Sequence, residues 1–181
     1  MKKLLIPALL SALLIGCSST PIPDETGGAP VESRSGSGSG VAPVVAGGLD
    51  SRGLPKELTD PKSMLSKRSV YFDLDSYEVK DEYKDLVAAH AKYLVNNRSF
   101  KMLIQGNTDE RGSREYNLAL GQKRAEAIKR SLTLLGAKED QLESVSLGEE
   151  KPKNPGRDES AWAENRRGDM LYKAADGRGE F

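Results

Sequence analysis

Asp109, Asn117 and Arg124 are the residues of this chain whose types and spacing best suit recognition of a ligand with two opposite charges. Asp109 stands in the segment Gly106-Asn107-Thr108-Asp109-Glu110-Arg111-Gly112, just ahead of a predicted helix. Asn117, Gly121 and Arg124 follow at intervals of four and three residues. Such intervals align side chains along one helical stripe. Glycine inside a helix costs about 1 kcal/mol relative to alanine, so Gly121 reads as an open notch between Asn117 and Arg124. A carboxylate before the helix and a guanidinium on it would suit a ligand carrying both an ammonium and a carboxylate, because arginine grips carboxylate through two parallel hydrogen bonds. The same residue types also fit a purely structural arrangement, with Asp109 stabilising the loop or the helix N-terminus and Arg124 in an ordinary surface ion pair.

The remaining chemistry-bearing side chains are few, since the chain has one cysteine and one histidine. Cys17 closes Leu14-Ile15-Gly16-Cys17, behind the basic pair Lys2-Lys3 and an apolar run from Leu4 to Ile15. That run is shorter than the roughly 20 apolar residues a membrane span needs, and its layout is that of a secretory signal. With cysteine at the cut it resembles the signal of bacterial lipoproteins, in which the thiol takes the lipid. The expectation is removal of residues 1–16, N-acyl and S-diacylglycerol lipid on Cys17, and no other cofactor. His90 lies mid-helix with no second histidine or cysteine to share a metal, and reads as helix-surface or half-buried. A calcium loop at Asp73, Asp75, Tyr77 and Glu78 fails, because its sixth and twelfth positions are Glu78 and Lys84 where glycine and glutamate are required. Cys-His and Ser-His catalysis therefore has little material, whereas paired carboxylates for glycan cleavage are not excluded by composition.

These residues are carried by a chain of uneven composition. Between Ser18 and Ser66, Gly, Pro and Ser fill 23 of 49 positions and no aromatic residue occurs, so the segment predicts a flexible linker that cannot bury enough apolar surface to order itself. A coil of that length has an r.m.s. span of roughly 40 Å. Every aromatic residue lies from Tyr71 onward. The reading is thus a signal segment at 1–16, a lipidated start and linker at 17–66, a folded domain at 67–175 and a short charged tail at 176–181. The domain and tail together carry 21 basic against 21 acidic residues, a balance that argues against nucleic acid as a partner.

Within the domain, strand and helix patterns alternate. Ser69–Phe72 is a short β-prone run, and Tyr83, Leu86, Val87, Ala91 and Leu94 recur at helical spacing up to Asn96-Asn97. Lys101–Gln105 predicts a buried strand. A long helix is expected from about Arg114 to Leu135, with Leu118, Ala125, Ile128, Leu132 and Leu135 as its apolar stripe and Gly136 as its stop. A third strand follows at Gln141–Leu147, a short helix near Asp158–Asn165, and a last strand around Asp169–Lys173. Trp162 is expected to pack against the sheet, and Arg166-Arg167 to supply one buried ion pair and one solvated charge. The order βαβαβ(α)β predicts an α/β (α+β) sandwich, with a mixed sheet and two main helices on one face.

Thr108-Asp109-Glu110-Arg111-Gly112, Asn117-Leu118 and Lys123-Arg124-Ala125 resemble the signature of the OmpA-like peptidoglycan-binding domain. The likeness extends to Val70–Asp75, Tyr116–Gly121, Gly148–Pro152 and Asn165-Arg166-Arg167, and so covers about Ser69 to Tyr172. Gly168-Asp169 departs from the family pattern, which has an apolar residue there, and leaves the start of the last strand open. The resemblance implies a non-catalytic domain that binds the diaminopimelate stem peptide of peptidoglycan. By position, Asp109 and Arg124 would hold diaminopimelate, Asn117 would orient the site, and the Phe72-Asp73 turn would add backbone and apolar contacts. Joined to the lipoprotein signal, it also implies a lipid anchor in the outer membrane of a Gram-negative bacterium and a domain in the periplasm. The partners it implies are TolB and the other Tol proteins, with OmpA-like or other envelope proteins, in envelope integrity and outer-membrane constriction at division.

Overall fold

Side chains alternate along a strand, so Met102 and Ile104 on one strand and Met170 and Tyr172 on its neighbour point to a single side, and that side holds the core. In the computed structural model, which describes residues 48–181, the strands are β1 (Ser69–Tyr71), β2 (Lys101–Asn107), β3 (Leu142–Gly148) and β4 (Arg167–Lys173). The helices are α1 (Lys56–Thr59), α2 (Lys84–Asn96), α3 (Arg114–Leu134) and α4 (Glu159–Asn165). The expected signal segment, Cys17 and the linker up to residue 47 lie outside the described residues. All described residues belong to one unit, 44–181, and every member of the hydrophobic cluster lies among them, so this part of the chain closes its own core.

The sheet order is β1-β4-β2-β3, with β4 antiparallel to β1 and β2, and β2 parallel to β3. The register sets Met102 opposite Tyr172, Ile104 opposite Met170 and Gly106 opposite Gly168. Onto that face pack α2, through Leu86, Val87, Ala91 and Leu94, and α3, through Ala125, Ile128 and Leu132. The mixed sheet with two main helices on one face is the expected architecture. Ser113 caps α3 by accepting a hydrogen bond from the Tyr116 N–H, and Gly136, at φ 99°, ends it. No helix among the described residues is long and apolar enough to cross a membrane.

Gly121 is no open notch. A Cβ on Gly106 would collide with the Gly121 carbonyl, and one on Gly121 with the Ser146 side chain, so the two glycines let α3 lie directly against β2. Gly168 on β4 is covered by side chains instead, with the Ile128 Cδ1 lying where a Cβ would stand. β4 begins before the departure at Gly168, at Arg167. The stripe of α3 also differs from the expected one. Leu118 and Leu135 are about half exposed, and Leu120 is buried instead. The face turned to the sheet is centred on Asn117, Gly121, Arg124 and Ile128, which leaves Leu118 beside the open edge of β3 and Leu135 past the helix end.

Both ends of the folded body lie outside the expected limits of 67 and 175. Leu54 and Leu58 are buried in the core, and the Asp50 carboxylate accepts from the Leu54 N–H at 2.8 Å. Leu58 lies in the single turn of α1 and Leu54 just ahead of its N-cap Pro55, a signal lost in the average composition of residues 18–66. At the other end, residues 174–181 turn back on β4: the Glu180 N–H donates to the Tyr172 carbonyl, and the Glu180 carboxylate accepts from the Tyr172 N–H, each at 2.8 Å. Glu180 also pairs with Arg52 and Arg68, tying the two ends together. His90 is fully buried, not half-buried. It donates from Nε2 to the Lys67 carbonyl and so accepts at Nδ1 from the Tyr172 hydroxyl, both at 2.9 Å.

Candidate ligand-binding site

Three segments meet where β2 ends: the turn after β1, the loop from β2 to α3, and the first turns of α3. They enclose a cavity of about 40 Å³ lined by Leu74, Asp75, Thr108, Asp109, Arg111, Tyr116, Asn117, Leu120 and Arg124. The expected trio Asp109, Asn117 and Arg124 is therefore brought together. Phe72 and Asp73 do not line the cavity. The Phe72 ring lies 5.3 Å from the Arg124 guanidinium, and the Asp73 carboxylate turns outward to Lys80 at 2.7 Å. These two residues act on Arg124, through the Phe72 ring and the Asp73 carbonyl, while the next two in the turn, Leu74 and Asp75, line the cavity.

Arg124 is fully buried, and its hydrogen bonds run to backbone carbonyls: Nε to Ser76 at 2.8 Å, Nη1 to Asn107 at 2.9 Å and Nη2 to Asp73 at 3.0 Å. No carboxylate pairs with it among the described residues, so the surface ion pair is absent. Burial lowers its pKa to about 10, which leaves it charged at neutral pH. Each terminal nitrogen keeps one N–H beyond these bonds. A buried, charged guanidinium without a counter-ion is costly.

Asp109 has the opposite surroundings. Its carboxylate accepts from Arg111 Nη2 at 2.8 Å, Arg111 Nε at 3.2 Å, the Arg111 backbone N–H at 3.0 Å and Arg166 Nη1 at 3.3 Å. Burial opposes its charge, but these bonds outweigh the opposition and hold its pKa below the usual carboxylate range. Both arginines also reach Glu159, from Arg111 Nη1 at 3.3 Å and Arg166 Nη2 at 2.8 Å. Asp109, Arg111, Arg166 and Glu159 thus form one ring of alternating charge. Arg111 further lies over the Trp162 indole at 4.2 Å, so Trp162 supports this ring and does not pack on the sheet. Arg167 is buried, pairing with Asp169 at 2.9 Å, where a solvated charge was expected. The Tyr116 hydroxyl bonds Asp75 across the cavity mouth, and Asn117 donates to Glu149. Thr108 Oγ1 and Asn107 Oδ1 are buried without partners. Among the described residues no group of three or more His, Cys, Asp or Glu is placed to hold a metal.

Asp75, Tyr116 and Arg166 were absent from the expected set, and so was Arg111 although it stands inside the motif. Local spacing could have suggested Arg111, two residues after Asp109; Asp75 and Arg166 arrive through tertiary structure alone.

Residues 71–166 match the model of the OmpA family. A curated peptidoglycan-associated lipoprotein from Pseudomonas putida is 40% identical over 160 residues, covering 88% of this chain and 90% of its own length. The chain belongs to the peptidoglycan-associated lipoproteins. Over the domain, the peptidoglycan-associated lipoprotein of Haemophilus influenzae is 48% identical across 104 residues, 58% of this chain and 68% of that one. The crystal structure of the peptidoglycan-associated lipoprotein from Burkholderia pseudomallei superposes with a TM-score of 0.64 at 60% identity, covering 65% of this chain and 99% of that one. The C-terminal domain of Helicobacter pylori MotB shares the fold, with a TM-score of 0.56 at 18% identity over 60% of this chain and 85% of that one. The peptidoglycan-associated lipoproteins are named for an association and not for a reaction, in keeping with a domain whose only histidine is locked in the core.

Proposed function

We propose that this lipoprotein tethers the outer membrane of a Gram-negative cell to its wall, lipid-anchored through Cys17, by non-covalent binding of the diaminopimelate stem peptide of peptidoglycan. The observation that carries the reading is the buried Arg124 beside the cavity, charged and with no carboxylate counter-ion in contact with it among the described residues. A ligand carboxylate would supply that counter-ion and accept the N–H groups left on both terminal nitrogens. Diaminopimelate adds an ammonium for Asp109 at the other pole. The names of its relatives support the wall as partner. TolB and the other Tol proteins are the protein partners that the family resemblance suggests, in outer-membrane constriction at division.

The test is sedimentation of residues 48–181 with purified sacculi. Co-sedimentation without release of soluble fragments is expected, and it is expected to fall at least tenfold for Asp109→Asn, on the scale of a lost bond to a charged group. Release of fragments would instead mean wall cleavage, and absence of co-sedimentation would mean that the domain binds proteins only.

A further inference from the structure

We infer that Arg111 is an internal stand-in for the ligand's cation, and that a ligand must displace it from Asp109 to bind. The inference deepens the proposed function and rests on it. As the structure stands, the cavity of about 40 Å³ admits only a few water molecules, far less than an amino-acid end group. What fills the space in front of Asp109 is the Arg111 side chain, with Nε and Nη2 both on the carboxylate. Asp109 is 5% exposed in its side chain, so a ligand ammonium has no open approach while that fork is in place.

The surroundings of Arg111 show where it goes. Its side chain is about one-third exposed and already touches two other partners, Glu159 at 3.3 Å and the Trp162 ring at 4.2 Å. Neither Glu159 nor Trp162 lines the cavity. Pivoting onto them vacates Asp109 without leaving the Arg111 charge unpaired. Arg166 keeps its own bonds to Asp109, to Glu159 and to the Phe72 carbonyl, which hold the carboxylate in place during the exchange. A ligand ammonium then takes over a position already shaped for a cation, and the number of charges on Asp109 is unchanged. Arg111 thereby acts as a specificity-determining residue, because a ligand without a cation cannot replace it on Asp109 and meets a closed cavity.

The chain has one tryptophan, so emission from Trp162 reports the position of the guanidinium above it. The experiment titrates residues 48–181 with a synthetic stem peptide ending in meso-diaminopimelate, following both heat and Trp162 emission, for the native protein, Arg111→Gln and Arg114→Gln. Arg111→Gln removes the competing cation and is expected to bind about twofold to fivefold tighter, the range of a partly exposed ion pair. The native protein is expected to change its Trp162 emission on binding, and Arg111→Gln to bind without that change. Arg114→Gln removes an equal charge from the exposed start of α3 and is expected to bind no tighter than the native protein. Equal or weaker binding by a folded Arg111→Gln would overturn the inference while leaving the proposed function intact. Binding by Arg111→Gln alone would support it, and binding by neither protein would reject the proposed function and the inference with it.

Discussion

His90 makes the stability of this domain depend on pH in a calculable way. Its imidazole is enclosed by the core and bonded at both nitrogens, and burial pushes its pKa from 6.5 down to about 4 against a weaker opposing pull from the Lys67 carbonyl. The folded state therefore holds His90 neutral, while the unfolded chain takes up a proton below about 6.5. Because the unfolded state binds more protons between these two values, stability is complete above pH 6.5 and falls steadily as the pH drops toward 4. At about 1.4 kcal/mol per pH unit the full loss is roughly 3 kcal/mol, about 2 kcal/mol of it by pH 5. Urea unfolding of residues 48–181 between pH 7.5 and 4.5 measures the loss, and subtracting the same series for His90→Gln removes the contribution of the carboxylates. As the only histidine in the chain, His90 also gives one imidazole NMR signal, so its pKa can be read directly. A titration near 6.5 in the folded protein, or an identical pH slope in His90→Gln, would refute the reasoning.

Two further expectations concern the fold and the site. Leu54→Ala is expected to cost about 2–5 kcal/mol in urea unfolding, as a buried leucine does, while Leu118→Ala, at a half-exposed position, stays within about 0.5 kcal/mol; equal effects would mean that residues 49–66 are not part of the core. Arg124→Ala is expected to lower stability by at least about 3 kcal/mol as well as abolish binding, because the Ser76, Asn107 and Asp73 carbonyls all lose their donor; unchanged thermal unfolding would contradict the role given to those bonds.

The parts of this architecture legible in the sequence are those set by local periodicity. The helix from Arg114, the strand at Met102 and Ile104 and the stop at Gly136 follow from spacing and backbone chemistry alone. Asp109, Asn117 and Arg124 were legible for the same reason, since a loop residue and two helix positions sit on one continuous segment. What could not be read was which side of a close contact a residue would occupy. Gly121 reads as a gap along the chain, and only the arrival of Gly106 from β2 turns it into a contact. Likewise, nothing local shows that Arg111 would cover Asp109 or that Arg166, 57 residues away from Asp109, would join it. Leu54 and Leu58 were lost because a composition average hides two leucines among glycine, proline and serine.

The central claim is that Arg124 and Asp109 are two poles of one diaminopimelate site. It is tested most directly by calorimetric titration of residues 48–181 with two stem peptides that differ only in carrying meso-diaminopimelate or lysine at the third position. Lysine lacks the side-chain carboxylate to which Arg124 would donate, so its peptide is expected to bind at least tenfold more weakly, the scale of one hydrogen bond to a charged group. Equal affinity for the two peptides would contradict the claim and return Arg124 to a purely structural part, as the clamp on the turn at Asp73 to Ser76.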